Sequence, residues 1–286
     1  MNKNHARLLF PQGVRKAFTL SYDDGVLQDR RFVEILNKYA LKATFNLNSG
    51  SFGQQDRLVY ANVNVDHSHI EASEVAQLFR NHEVAVHTVT HPDLTKLSNE
   101  AIWREVNDDK LALEQLTGYP VRGMAYPGGH FSDDVVNALR ETGIEYARTI
   151  QHHYSFALPE QFLTWHPTCH DHDPELPTLM QRFLDPSNSE LMLFYVWGHS
   201  YEFDMEESGW ERIEAFCAEI SGKPDVWYAT NIEIYDYIQA YRNLRFSEDG
   251  SMVYNPSACD VYVEINGEVC KITGGATKKL YDVKIC

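Results

Sequence analysis

Strand-like and helix-like segments alternate along most of this 286-residue chain, and that alternation restricts the fold more than any other feature. β-Prone runs at 16–22, 42–47, 83–87, 121–126, 145–148, 162–166, 191–197 and 226–229 are separated by helix patterns at 31–39, 71–79, 99–116, 132–141, 207–220 and 232–242. A helix between two strands returns the chain to the starting end of the sheet, so consecutive strands pair in parallel. A series of eight can close into a (β/α) barrel. Within 99–116, Ile102, Val106, Leu111, Leu113 and Leu116 recur near helical spacing; Ser98 is placed to cap the first turn, and Gly118 followed by Pro120 ends it.

Two stretches interrupt the pattern. Residues 50–69 are polar and carry the alternating run LVYANVNV, which predicts a hairpin. Residues 166–186 are rich in Pro, His and Asp and read as a long loop or a short helix. Beyond about residue 245 the helix patterns stop. Turn pairs at Asp249-Gly250, Asn266-Gly267 and Gly274-Gly275 separate short β-prone stretches there. The expected organisation is a barrel over 1–244 and a small antiparallel β appendage over 245–286.

Charge narrows the function classes. Forty-one Asp and Glu against 25 Lys and Arg leave a formal charge of −16, so the basic surface that neutralises phosphates is missing and nucleic acid is excluded as a partner. No window approaches the roughly 18 apolar residues of a membrane span. The opening MNKNHARLLFPQG lacks the apolar core of a secretory signal, so the expected location is the cytoplasm. Cys169, Cys217, Cys259, Cys270 and Cys286 form no C-x-x-C pair, which predicts reduced thiols and no thiolate metal site.

Chemistry gathers where predicted strands end. The first ends in Tyr22-Asp23-Asp24-Gly25, the third in His87-Thr88-Val89-Thr90-His91, the fourth in Tyr126-Pro127-Gly128-Gly129 and the seventh in Trp197-Gly198-His199. In barrels this rim carries the reactive groups, because its loops vary without disturbing the core. His87 and His91 have helix spacing, but Thr88 stands where a metalloprotease has Glu, and Pro92 biases His91 away from helix. The stretch therefore reads as a strand-to-loop turn. Two imidazoles there and one of the two aspartates make an Asp-His-His set able to hold a divalent metal with open positions. Adjacent carboxylates on a strand point to opposite sides, so one is expected to bind the metal while its neighbour accepts a proton.

These residues resemble the polysaccharide deacetylase family, carbohydrate esterase family 4 with its NodB-homology domain. The family's T-F-D-D-G motif is similar to Ser21-Tyr22-Asp23-Asp24-Gly25, and its H-[ST]-x-x-H motif to His87-Thr88-Val89-Thr90-His91. A closing hydrophobic strand ending in Leu-x-His is similar to the run ending at His199, with Trp197 in the Leu position. The resemblance covers roughly residues 16–241 and implies a distorted barrel of seven or eight (β/α) units. It implies Asp23 as general base, His199 as general acid, and Asp24, His87 and His91 as ligands of a divalent cation, Zn²⁺ foremost, with Co²⁺, Ni²⁺ or Mn²⁺ as alternatives.

The implied reaction is hydrolysis of an N-acetyl or O-acetyl group on a sugar or oligosaccharide. The third motif, R-P-P-Y-G, is similar to Ala125-Tyr126-Pro127-Gly128-Gly129, so the arginine that steadies the base is absent. Arg122 lies three positions early and on the other face of the strand. Tyr126, Pro127, Gly128 and Trp197 are expected around the substrate, with the Gly128 N–H toward the oxyanion. For the fourth motif the candidates are Trp165, His166, His170 and Asp171.

Two rival readings remain. One is a metal-independent cytoplasmic amide or ureide hydrolase of the allantoinase type. The other is an inactive carbohydrate-binding protein that uses the rim and the β appendage.

Overall fold

The computed structural model describes residues 6–60 and 63–280. Its centre is an eight-stranded parallel sheet made by β1 (Lys16–Asp24), β2 (Thr44–Leu47), β3 (Glu83–Val86), β4 (Gly123–Ala125), β5 (Tyr146–Arg148), β6 (Cys169–His170), β7 (Met192–Gly198) and β8 (Val226–Tyr228). The order is β5-β4-β3-β2-β1-β7-β6. Every residue of β1 is buried, because neighbours flank both edges and packing covers both faces.

The sheet curls until its ends nearly meet. Trp165 bridges to Arg148 in parallel, its N–H donating to Ala147 O at 2.9 Å, and the chain then pairs with β7 through β6. The expected strand at 162–166 is thus reduced to a 3₁₀ turn at Phe162–Thr164 and this bridge. Pro167 has no N–H and interrupts the ladder. β8 pairs only with the first half of β1, Val226 to Tyr228 against Lys16 to Phe18, while β2 occupies the second half of the same edge. The ring therefore has seven positions, as in a distorted (β/α) barrel.

Helices α1 (Asp29–Lys38), α2 (Asn99–Thr117), α3 (Asp133–Arg140), α4 (Leu176–Leu184), α5 (Gly209–Ile220) and α6 (Asn231–Arg242) connect the strands. Phe18, Leu20 and Tyr22 of β1 share one core cluster with Phe32 and Leu36 of α1 and Phe216 of α5. The Ser98 hydroxyl accepts from Ala101 N at 3.3 Å at the start of α2, and Gly118 closes it at φ 75°. Its buried stripe is Ile102, Val106, Asp109 and Leu113; Leu111 falls off that stripe and is 55% exposed, contrary to the spacing argument. Residues 71–79 hold only a 3₁₀ turn and the short helix Val75–Leu78.

The 50–69 insertion contains the expected hairpin, Arg57–Tyr60 against Val63–Asp66. Its return segment is tied to the loop after Asp24 by Leu27 N to Ser68 O at 2.8 Å and Ile70 N to Gly25 O at 3.0 Å. Two three-stranded antiparallel sheets complete the molecule. One pairs Ala6–Leu9 with Val261–Ile265, and Val261–Ile265 with Glu268–Ile272 across the turn Asn266-Gly267, both residues at positive φ. The other joins Arg245–Phe246, Met252–Tyr254 and Thr277–Lys279. Cys286 lies outside the described residues, and among those described no helix is long and apolar enough to cross a membrane.

Candidate active site

Strand alternation would separate Asp23 from Asp24, but Asp24 has φ 80°, in the left-handed region, and the alternation breaks at that residue. Both carboxylates consequently approach one imidazole. His87 Nε2 lies 3.8 Å from Asp23 Oδ2 and 3.6 Å from Asp24 Oδ1. The expectation of opposite sides is thereby corrected.

His91 Nε2 stands 3.8 Å from the same Asp24 Oδ1, and ligand atoms of Asp24, His87 and His91 fall within 4.8 Å of one another. The donor chemistry fits a divalent cation. His87 Nδ1 lies 2.8 Å from Ala125 O, a contact that needs a proton on Nδ1 and leaves the Nε2 lone pair facing Asp24. The loop carrying both histidines is held in an unfavourable conformation, with Thr88 at φ 69° and His91 at φ 56°. Asn48 Nδ2 donates to His87 O and Thr88 O, and buried Asp109 accepts from His87 N at 3.1 Å and Ser49 N at 2.7 Å. Burial pushes the Asp109 carboxyl up to about 7. For Asp24, burial also acts upward, but a hydrogen bond from His67 and three nearby imidazoles outweigh it and hold the carboxyl well below its usual range.

Asp23 sits deeper, 3% exposed. Asn46 Nδ2 donates to its Oδ1 at 2.8 Å, and Arg148 forms an ion pair with its Oδ2. Burial acts to raise this carboxyl; Arg148 and the imidazoles of His87 and His199 reverse the shift and lower it. The third motif thus has no arginine, and a guanidinium reaches Asp23 from β5, the strand that follows it. The guanidinium is fully buried and lies over the Trp197 ring, 4.5 Å from its centroid. An Arg closing a predicted strand on the same rim was the available signal. Arg122 instead binds Glu145 and Asp236 in a partly exposed network.

His199 Nε2 lies 3.9 Å from Asp23 Oδ2, and its Nδ1 lies 3.3 Å from Glu202 Oε1. Burial disfavours its charge, yet the bond to Glu202 and the two aspartates push it up to about 9, so the imidazole is protonated at neutral pH. Sequence reasoning missed Glu202, three residues beyond His199. Behind it lies a second cluster, His170, Asp171, His172 and Glu202. His172 Nε2 accepts from Arg212 at 2.6 Å, which fixes the proton on Nδ1, and Nδ1 donates to Asp171 at 2.5 Å. Both ring nitrogens of His172 are therefore engaged within a hydrogen-bonded cluster. Asp171 also accepts from Tyr22 OH at 2.6 Å.

A cavity of about 490 Å³ opens over these groups, lined among others by Tyr126, Gly128, Trp197 and Tyr201. Pro127 is buried beside it, and Tyr126 is anchored by its hydroxyl to Leu163 O at 2.7 Å. Of the fourth-motif candidates, Trp165 is core, His166 pairs with Thr149, and Asp171 with His170 form the layer behind His199; none lines the cavity.

Residues 12–147 match the family model for polysaccharide deacetylases. The matched stretch runs from before β1 into β5 and carries both the Asp23-Asp24 pair and the His87 to His91 loop, so this part of the chain is similar to the polysaccharide deacetylase family. It is similar to YxkH of Bacillus subtilis, assigned as a polysaccharide deacetylase, at 22% identity over 139 residues, 48% of this chain and 45% of that one. The chain spans about half the length of that curated relative. A solved Mycobacterium smegmatis protein assigned as a polysaccharide deacetylase superposes with TM-score 0.60 at 17% identity, over 83% of this chain and 94% of that one, a likeness of fold. The Streptococcus pyogenes deacetylase PplD in complex with acetate matches at 22% identity and TM-score 0.39, over 46% of this chain and 55% of that one.

Proposed function

We propose that the protein is a cation-dependent deacetylase removing an acetyl group from an N- or O-acetylated sugar or oligosaccharide. The observation that carries this reading is the convergence of Asp24, His87 and His91 on one point beside a buried Asp23 that also faces His199. A divalent cation held by Asp24, His87 and His91, Zn²⁺ first among the candidates, supplies Lewis-acid polarisation of the acyl group.

Asp23, kept ionised by Arg148, accepts the proton of the water that attacks the acyl carbon. The Gly128 N–H, on the cavity wall, donates to the developing oxyanion. His199 gives its proton to the departing nitrogen or oxygen, the acyl bond breaks, and acetate leaves with the freed sugar. With a formal charge of −16, the protein suits a neutral or cationic substrate better than a polyanion.

The test is acetate release by Asp23→Asn from N-acetylated chitooligosaccharides and O-acetylated xylooligosaccharides. Loss of one proton-transfer group predicts a fall of about 10²–10⁴-fold with Zn²⁺ stoichiometry unchanged. Wild-type turnover by the variant would remove Asp23 from the reaction.

A further inference from the structure

His67 has no place in the chemistry above, yet it is the side chain that engages the other oxygen of the cation-binding carboxylate. Asp24 Oδ1 faces His87 and His91, whereas Asp24 Oδ2 lies 3.4 Å from His67 Nε2. The placement of His67 is built into the backbone. The segment after the hairpin runs antiparallel to the loop that follows Asp24, through Leu27 N to Ser68 O, Ile70 N to Gly25 O and the bridge between Val26 and His69. His67 N also donates to Asp56 O at 3.0 Å.

The ring is constrained from the remaining sides. It meets Tyr201 edge-on at 4.8 Å between centroids and His69 at 5.1 Å, and its Nδ1 stands 3.7 Å from Asp56 Oδ2. Among the described residues, the group here whose ligand atoms lie within 4.8 Å of one another is Asp24, His87 and His91, and His67 is not part of it.

We propose that His67 is a positioning residue for the cation site: it holds Asp24 Oδ2, so that Oδ1 alone is presented between His87 and His91, and the 50–69 insertion is the device that delivers it. This rests on the reading of Asp24, His87 and His91 as cation ligands. A partner that fixes a ligating side chain typically contributes 10–100-fold in metal affinity. An Nε2–H on His67 fills the Oδ2 lone pair, and the edge-on contacts with Tyr201 and His69 hold the ring with Nε2 aimed at Asp24.

The experiment titrates chelator-stripped full-length protein with Zn²⁺ against a chromophoric competitor, with thermal melting of the stripped proteins recorded alongside. Wild type is expected to bind one Zn²⁺ and Asp24→Ala none at the same concentrations. His67→Ala should keep a stoichiometry of one with affinity reduced about 10–100-fold. His67→Gln, whose amide N–H reaches the Nε2 position, should recover most of that loss. Affinity of His67→Ala within twofold of wild type, with Asp24→Ala silent, overturns the proposal and leaves the cation site standing. Disappearance of the site in both His67 variants would make His67 a ligand and also overturn it. Undiminished binding by Asp24→Ala would bring down the cation site itself.

Discussion

Arg148, the last residue of β5, ion-pairs with Asp23 near the end of β1, two strand ends separated by three intervening strands of the same curled sheet. Both side chains are buried, so each is the other's main compensation for leaving water.

Replacing Arg148 by Met should therefore strand a buried carboxylate. Unfolding in urea is expected to show a loss of about 3–5 kcal/mol, and Asp23→Asn in the same chain should restore a large part of it. With burial no longer opposed by the guanidinium, the Asp23 carboxyl rises, so the acidic limb of the pH–activity profile moves to higher pH. A variant with unchanged stability and profile would show that the pair carries no such role.

Glu202 supplies the hydrogen bond that most favours the charged form of His199. A raised imidazole keeps its proton until the pH passes the folded-state value, here about 9. Glu202→Gln removes the negative charge, lets the value fall back toward the ordinary range, and should shift the alkaline limb of kcat/KM down by about one unit or more. A limb that stays in place would assign the acid to another group.

At the opposite end of the barrel, Glu83 opens β3 and accepts from Thr44 Oγ1 at 2.8 Å, Tyr146 OH at 2.7 Å and Ile232 N at 2.9 Å. Burial pushes its carboxyl up to about 7 despite these bonds. The folded state favours the protonated form, so stability is greatest below the unfolded value of roughly 4.3 and declines as pH rises toward 7, by an amount on the order of 2–3 kcal/mol. Glu83→Gln should flatten that slope, because the Tyr146 hydroxyl can turn from donor to acceptor. Denaturation midpoints between pH 4 and 8 measure it, and an equally steep decline in the variant would place the slope elsewhere.

The barrel was legible because alternation is a local signal: each strand and helix carries its own period, and the rim where polar groups gather follows from where strands end. The convergence of Asp24, His87 and His91 was legible for the same reason, since each closes a recognisable segment. What sequence could not carry were relations fixed by dihedral angle or by long-range closure. The φ of 80° at Asp24 reverses the alternation argument without any change of residue type. Arg148 serves Asp23 from 125 positions away, visible only once β5 and β1 face one interior. Leu111 looked apolar and periodic but lies on the face opposite the stripe set by Ile102, Val106 and Leu113.

Tyr241 OH donates to Ala6 O at 2.8 Å, a bond between residues 235 positions apart, and the strand Ala6–Leu9 has Val261–Ile265 as its ladder partner. At ribosomal speeds of about 5–20 residues per second, the strand Ala6–Leu9 waits on the order of tens of seconds for its neighbour to be made. During that interval its open edge is a template for foreign β-segments, so a chain arrested before residue 261 is the form most exposed to aggregation.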